Sequence, residues 1–251
     1  MDHIGHEDRF AWRVSFFLAI AILILLPIVN PEKFLTIYTF IPDGIYNTLL
    51  VTLISIFFAS IISIAVGVGR VINPLLNRIL SIYVEVFRGV PLLVQLFYVY
   101  FVLGKIFAFP RIVAAIIALS VCYGAYMAEI VRAGLMAIPK TQIEASASLG
   151  LSRFQSFRYV IIPQAFRVIL PPFGNEFIML LKDSSLVSII AVTDIMQRTR
   201  QYASRTFDYF EAFSVCALVY LLLTLLFSKV VSHIEKRFVF RSAHNANVKK
   251  K

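Results

Sequence analysis

Residues 48–69, TLLVTLISIFFASIISIAVGVG, carry no charged side chain. As a helix they are long enough to cross a bilayer core, which takes about 20 mostly apolar residues. A barrel strand spans with about 10 residues and alternates apolar with polar ones, so a run of this length excludes that architecture. Working outward, further apolar stretches lie near 14–29, 45–69, 91–109, 111–131, 168–192 and 212–232. The chain has 251 residues, of which 59% are hydrophobic and only 15% charged, which fits neither a soluble domain nor a disordered one. The fold class is an all-α, polytopic membrane bundle of about six transmembrane helices.

The net charge of +10 raises nucleic acid as a partner, and its distribution answers the question. With the polar insert 141–165 in the cytoplasm, alternating spans put 1–13, 70–90, 132–165 and 229–251 on the same side. Those segments hold most of the 24 basic residues, among them Arg70, Arg78, Arg88, Arg132, Lys140, Arg153, Arg158 and Lys249 to Lys251. Lys33, Lys105, Arg111, Arg198, Arg200 and Arg205 fall on the other side. This is the positive-inside bias, which accounts for the charge without nucleic acid and predicts that both termini are cytoplasmic. Residues 12–29 have no A-x-A-like cleavage site after the apolar run, so they read as a retained span rather than a signal peptide. Cys122 and Cys216 both fall inside spans and read as small packing residues.

The insert TQIEASASLGLSRFQSFRYVIIPQA (141–165) is polar in an apolar chain. Pro139 ends the preceding span, and Thr141 with Glu144 has capping-box spacing, predicting a helix from Gln142 to about Leu149 with Thr141 as N-cap. Gly150 suits the left-handed position just past that helix. Ser152 and Gln155 repeat the box, and a second helix is expected to run until Pro163. GLMAIPKT (134–141) has the spacing of a phosphate loop, but Pro139 stands where the second Gly must be and offers no N–H, so it is a false match.

In 111–131, Ser120, Gly124 and Ala128 recur every four residues, as do Ala114 and Ala118; such small-residue faces let membrane helices approach closely and predict a central helix. Pro91 suits the first turn of its span, and Gln95 reads as interhelical glue or as part of a substrate pathway. Stretch 168–192 carries Asn175, Glu176, Lys182, Asp183 and Ser184, and ionisable groups in a membrane are costly enough to demand a role. Glu176 and Asp183 are expected on one helical face, about 10 Å apart along the axis, with Asn175 and Lys182 on the neighbouring one. They suit either a gate or a pocket for a zwitterion.

Glu144-Ala145-Ser146, Gly150 and Val160-Ile161-Ile162-Pro163 resemble the E-A-A, G, I-x-L-P signature of the permease subunits of ABC importers, with Ser146, Val160 and Ile162 as departures. YVEVFRGVPLLVQLF (83–97), AYMAEIVRAG (125–134), GNEFIMLLKDSSLVSII (174–190) and ASRTFDYFEAF (203–213) are similar to its polar amino-acid subfamily. The resemblance covers roughly 45–237. It implies the type I importer permease fold in the bacterial cytoplasmic membrane for a domain over 30–237; the span at 14–29 lies outside the resemblance and reads as an extra N-terminal helix after a short cytoplasmic N-terminus (1–13), and 238–251 reads as a basic cytoplasmic tail. It implies two ATPase partners that bind ATP and Mg, an extracytoplasmic amino-acid-binding protein, and a second permease subunit, identical or similar. No cofactor is expected in this chain. Loop 135–165 would hold the coupling helix, with Thr141, Glu144, Ala145, Ser146, Gly150 and Pro163 facing or shaping the ATPase contact.

Other classes explain less. Ser-His hydrolysis is disfavoured because His3, His6, His233 and His244 all lie in the terminal regions. A two-carboxylate intramembrane protease using Glu129, Glu176 and Asp183 leaves the capped insert without a purpose; a receptor or scaffold is the remaining alternative, which an ATPase gene beside this one would discount.

Overall fold

The structure, a computed structural model, describes residues 2–240, with side chains from Phe10 to Phe238. The tail expected at 238–251 lies outside the described residues beyond Phe240. All regular elements among the described residues are helical: α1 (Asp2–Val29), α2 (Pro31–Phe40), α3 (Pro42–Ile72), α4 (Pro74–Gly89), α5 (Leu92–Phe97), α6 (Gly104–Phe107), α7 (Arg111–Met136), α8 (Lys140–Ser148), α9 (Arg153–Ser156), α10 (Ile162–Asp183), α11 (Ile195–Thr206) and α12 (Tyr209–Glu235). A π-helical stretch joins α5 to α6 (Tyr98–Leu103), another joins α9 to α10 (Phe157–Ile161), and a 3₁₀ segment follows α10 (Ser184–Ile190). Pro31, Pro42 and Pro74 open their helices, where an absent N–H removes no intrahelical bond.

Four stretches among the described residues are long and apolar enough to cross a membrane: Phe10–Val29, Pro31–Ile72, Arg111–Met136 and Tyr209–Phe238. A fifth is the pair Pro74–Gly89 and Leu92–Phe107, bent by 102° at its break. The expectation of six uniform spans is corrected in two places. Stretch 70–90, placed between two spans with no structure of its own assigned, is mostly helix α4, started by Asn73, whose side chain accepts from the backbone N–H of Leu75 (2.8 Å) and Leu76 (3.3 Å). Stretch 168–192 is not one α-helix: α10 ends at Asp183, where the Ser184 hydroxyl turns back to the Leu181 carbonyl and the backbone tightens to 3₁₀. It ends on Ala191 in the left-handed region (φ 58°).

The chain divides into two compact units, each with its own packing. The first comprises, among the described residues, 2–52 and Leu181–Val230. Its core joins Phe34, Ile37 and Ile41 to Ile195, Tyr202, Ala212 and Val215. Trp12 of α1 donates to the Leu225 carbonyl (2.9 Å) and lies under the Lys229 ammonium (4.2 Å to the ring centroid), so α1 packs on α12. Lys33 pairs with Asp208 and with Glu211 (3.2 Å), and Arg198 pairs with Asp43.

Asp194 is fully buried and caps α11, accepting from Gln197 N–H (2.8 Å) and from the Tyr220 hydroxyl (3.4 Å). Burial pushes its carboxyl up to about 7 despite those donors. The folded-state value lies above the unfolded one, so the contribution to stability is full below about pH 4 and is lost as pH rises through about 7. Asp194→Asn keeps the cap. It is expected to flatten this dependence, which is about 4 kcal/mol at most. Thermal unfolding of the detergent-solubilised protein across this range checks the expectation, and an unchanged difference between wild type and variant would overturn it.

The second unit comprises, among the described residues, Leu53–Leu180 and 231–240. Its centre is α7, which buries Ala114, Ala118, Ser120, Gly124 and Ala128, the small residues whose spacing predicted a central helix. A Cβ on Gly67 of α3 would stand 2.6 Å from Val131 Cβ and 2.8 Å from the Ala128 carbonyl oxygen. One on Gly134 would stand 2.2 Å from Ile169 Cγ1 of α10. Tyr83 of α4 donates to the Val121 carbonyl (2.6 Å). Glu129 of α7 is gripped by Arg132 of its own helix and by Arg70 of α3 (2.7 Å), and Arg70 also reaches Asn77 of α4 (3.3 Å).

Candidate functional site

The polar insert folds as a helix, a left-handed turn and a second helix start. α8 begins at Lys140, two residues earlier than its sequence suggests, because Pro139 already has the fixed φ (−59°) and extended ψ (138°) of an N-cap. Thr141 is therefore inside the helix, and the Thr141–Glu144 capping box does not form: no side-chain cap is present. Glu144, Ala145 and Thr141 are exposed.

The other end matches expectation closely. Gly150 has φ +76°. Its N–H bonds the Ala147 carbonyl (2.9 Å) and the N–H of Leu151 bonds the Ser146 carbonyl (3.1 Å), the paired bonds of a Schellman motif. Ser152 and Gln155 complete the second capping box, with Gln155 N–H donating to Ser152 Oγ (3.3 Å) and Ser152 N–H donating to Gln155 Oε1 (2.8 Å).

Ser146 is the one signature position of α8 that is buried, and its hydroxyl shares a 2.8 Å hydrogen bond with that of buried Ser156. The departure from alanine at this position thus ties α8 to α9. Pro163 does not stop the second helix. Ile162 N–H bonds the Phe157 carbonyl across a π turn, so Pro163 falls in the first turn of α10, where it costs nothing. Beneath the turn, Val131, Leu135 and Ile138 of α7 and its end pack on Ala165, with Phe157 and Ile161 around them.

Two residues of this element were not singled out from sequence. Leu149 is 81% exposed and Phe154 is 72% exposed, one on each side of Gly150. Their signal was a pair of large apolar residues flanking the turn of an otherwise polar insert. Held out by a rigid turn, they form knobs suited to a hydrophobic groove on another protein.

The polar residues of the apolar stretches are spread along the chain. Asn175 and Lys182 are exposed on α10, while Glu176 and Asp183 are half-buried. Ser184 is fully buried in the 3₁₀ segment. Gln95 is glue: its Nε2 donates to the carbonyls of Phe87 and Val90 (2.8 Å each), stapling the bend between α4 and α5.

A profile of the family described as "Binding-protein-dependent transport system inner membrane component" matches residues 59–240. The chain belongs to that family. It is a multi-pass membrane component of a transport system rather than an enzyme, and the match takes in α7, the turn at Gly150 and α10 while leaving α1 and α2 outside. The chain is 42% identical over 168 residues to the probable amino-acid ABC transporter permease protein PatM of Vibrio harveyi, covering 65% of this chain and 75% of that one. It is 34% identical over 199 residues to the glutamine transport system permease protein GlnP of Escherichia coli (strain K12), covering 78% and 91%. A solved structure of an amino acid ABC transporter with histidines superposes with a TM-score of 0.74 at 36% identity, covering 83% of this chain and 97% of that one. The MetNI methionine ABC transporter in an inward-facing form shares the fold, with a TM-score of 0.68 at 23% identity. The fold is that of type I ABC importer permeases.

Proposed function

We propose that this chain is the permease subunit of an ATP-driven ABC importer that moves a polar amino acid across the bacterial cytoplasmic membrane by alternating access. The observation that carries the reading is the coupling element: a helix closed by a left-handed glycine, stapled through Ser146 and Ser156, with Leu149 and Phe154 held out of the polar surface. A connecting loop needs none of these. The relatives named as amino-acid permeases support the substrate class. ATP and Mg belong to two ATPase subunits docked on α8, and an extracytoplasmic binding protein delivers the substrate. A second permease subunit, identical or similar, completes the pathway, facing the open side of α10 with Val168, Pro172, Asn175 and Met179. Both termini and the 141–165 insert lie in the cytoplasm, following the basic residues.

The test is uptake by proteoliposomes that hold this chain with its ATPase and binding protein, each amino acid being offered in competition. ATP-dependent accumulation of at least one polar amino acid is expected, and its absence for all of them would sink the reading. A cysteine placed in 141–165 should resist impermeant thiol reagents in intact cells; labelling there would reverse the orientation.

A further inference from the structure

The match to the transport family begins at residue 59 and leaves α1 without a role. Phe10–Val29 of that helix is long and apolar enough to cross a membrane, and almost none of it is buried in the protein. The face it turns to the rest of its unit carries Trp12, Ala19, Leu23 and Leu26, spaced as one helical stripe. About 100° round the helix, Arg13 heads a second stripe with Phe17, Ile24 and Ile28. All four side chains of that stripe are exposed.

The polar end of the second stripe is preorganised. Trp12 is fixed by its indole N–H on the Leu225 carbonyl of α12 (2.9 Å), and its ring in turn carries the Lys229 ammonium, 4.2 Å from the centroid. A ring face holds a cation without neutralising it, and an ammonium has three donors, so hydrogens remain for the oxygens of an anion. Arg13 follows Trp12 directly, with its Cα about 3.8 Å from that of the tryptophan. Neither Arg13 nor Lys229 has an ion pair among the described residues, whereas Lys33 and Arg198 of the same unit are both paired with carboxylates. Two unneutralised cations beside a tryptophan, at the end of an exposed apolar stripe, have the composition of a membrane–water interface. Their complement is a molecule with an anionic head and long apolar chains. A free anion would leave the stripe uncovered, and a zwitterionic head would bring a cation of its own against Arg13 and Lys229.

We propose that the edge formed by α1 and α12 binds one acidic phospholipid, with its phosphodiester on Lys229 and Arg13 and its acyl chains along Phe17, Ile24 and Ile28. The lipid bridges the two helices and so holds α1 on α12.

The experiment is native mass spectrometry of the purified full chain, stripped of lipid and then offered equal amounts of phosphatidylglycerol and phosphatidylethanolamine with the same acyl chains. Wild type is expected to retain phosphatidylglycerol at least about tenfold better. Arg13→Gln and Lys229→Gln together should lower that retention by about tenfold or more, while Lys229→Arg, which keeps the charge, stays within about threefold of wild type. Excess inorganic phosphate should leave the lipid in place. Melting temperatures in detergent close to that of wild type show that the variants fold. The proposal is overturned if wild type retains both lipids alike, if the double variant keeps the preference, or if inorganic phosphate displaces the lipid. It is overturned too if Phe17→Cys forms a disulfide between two copies of the chain in oxidised membranes, which would make the stripe a protein interface. No readout involves transport, so a failure here and a failure of the permease reading are told apart.

Discussion

Gly150→Val leaves the protein inserted and assembled with its partners but cuts coupled uptake by about tenfold or more, the scale on which two sites lose their linkage. The strain is conformational and not steric. A Cβ at Gly150 would meet nothing within 4 Å, so the substitution fits in space, yet φ +76° is a conformation that a β-branched residue adopts only at a cost of about 1–2 kcal/mol. The cheapest relief is to flip the turn, which breaks the bonds from Gly150 to Ala147 and from Leu151 to Ser146 and swings Leu149 away from Phe154. Losses of that size are too small to unfold a bundle whose cores lie elsewhere. The readouts are ATP hydrolysis stimulated by loaded binding protein and uptake in proteoliposomes. Unchanged values for both would reduce the 140–156 element to a connector.

The second large effect is Gly67→Val, and here the cause is steric. The first added carbon would stand 2.6 Å from Val131 Cβ and 2.8 Å from the backbone oxygen of Ala128, so α3 and α7 must separate. Side chains can shift, but a carbonyl inside a helix cannot. Overpacking of this kind costs about 1–3 kcal/mol and occasionally more. Separation would also lengthen the Arg70–Glu129 pair that joins the same two helices. A lower melting temperature in detergent and a reduced yield of assembled complex are expected. Gly89→Ala is the control, since a Cβ there meets nothing within 4 Å and should leave stability unchanged or improved. Equal melting temperatures for Gly67→Val and wild type would show that α3 and α7 are not packed as described.

Legibility from sequence followed the physics of each position. The Gly150 turn and the Ser152–Gln155 box were readable because each depends on a few neighbouring residues. The Thr141 box failed because Pro139 had already set the backbone at the helix start, and the proline's rigidity outranks a hydroxyl's preference. Helix α4 was not legible as an element because its apolar residues, such as Leu75, Ile79, Ile82 and Val86, are spaced to make a face and never accumulate into a run. Hydropathy was also blind to the end of α10 at Asp183, since the 3₁₀ segment beyond it is as apolar as a span. The importance of Leu149 and Phe154 was missed because their one signal, two large apolar residues flanking the turn, does not tell exposure from burial, which is a tertiary property. Lys182 drew notice as an intramembrane charge, but the recess beside it is lined by Met196, Tyr220 and Thr224, residues far along the chain whose approach no local pattern announces.

The π turn at Phe157–Ile161 sets an azimuth. It holds one residue more than an α-helical turn would, and each residue advances a helix by about 100°. The direction in which Leu149 and Phe154 point around the α10 axis is therefore a matter of phase, fixed by chain length between Ser152 and Pro163 and not by the chemistry of any side chain. Substitutions there leave the phase alone, whereas deletion of a single residue would let the turn relax to α and rotate the knobs by about a quarter of a revolution, off any groove they were aimed at.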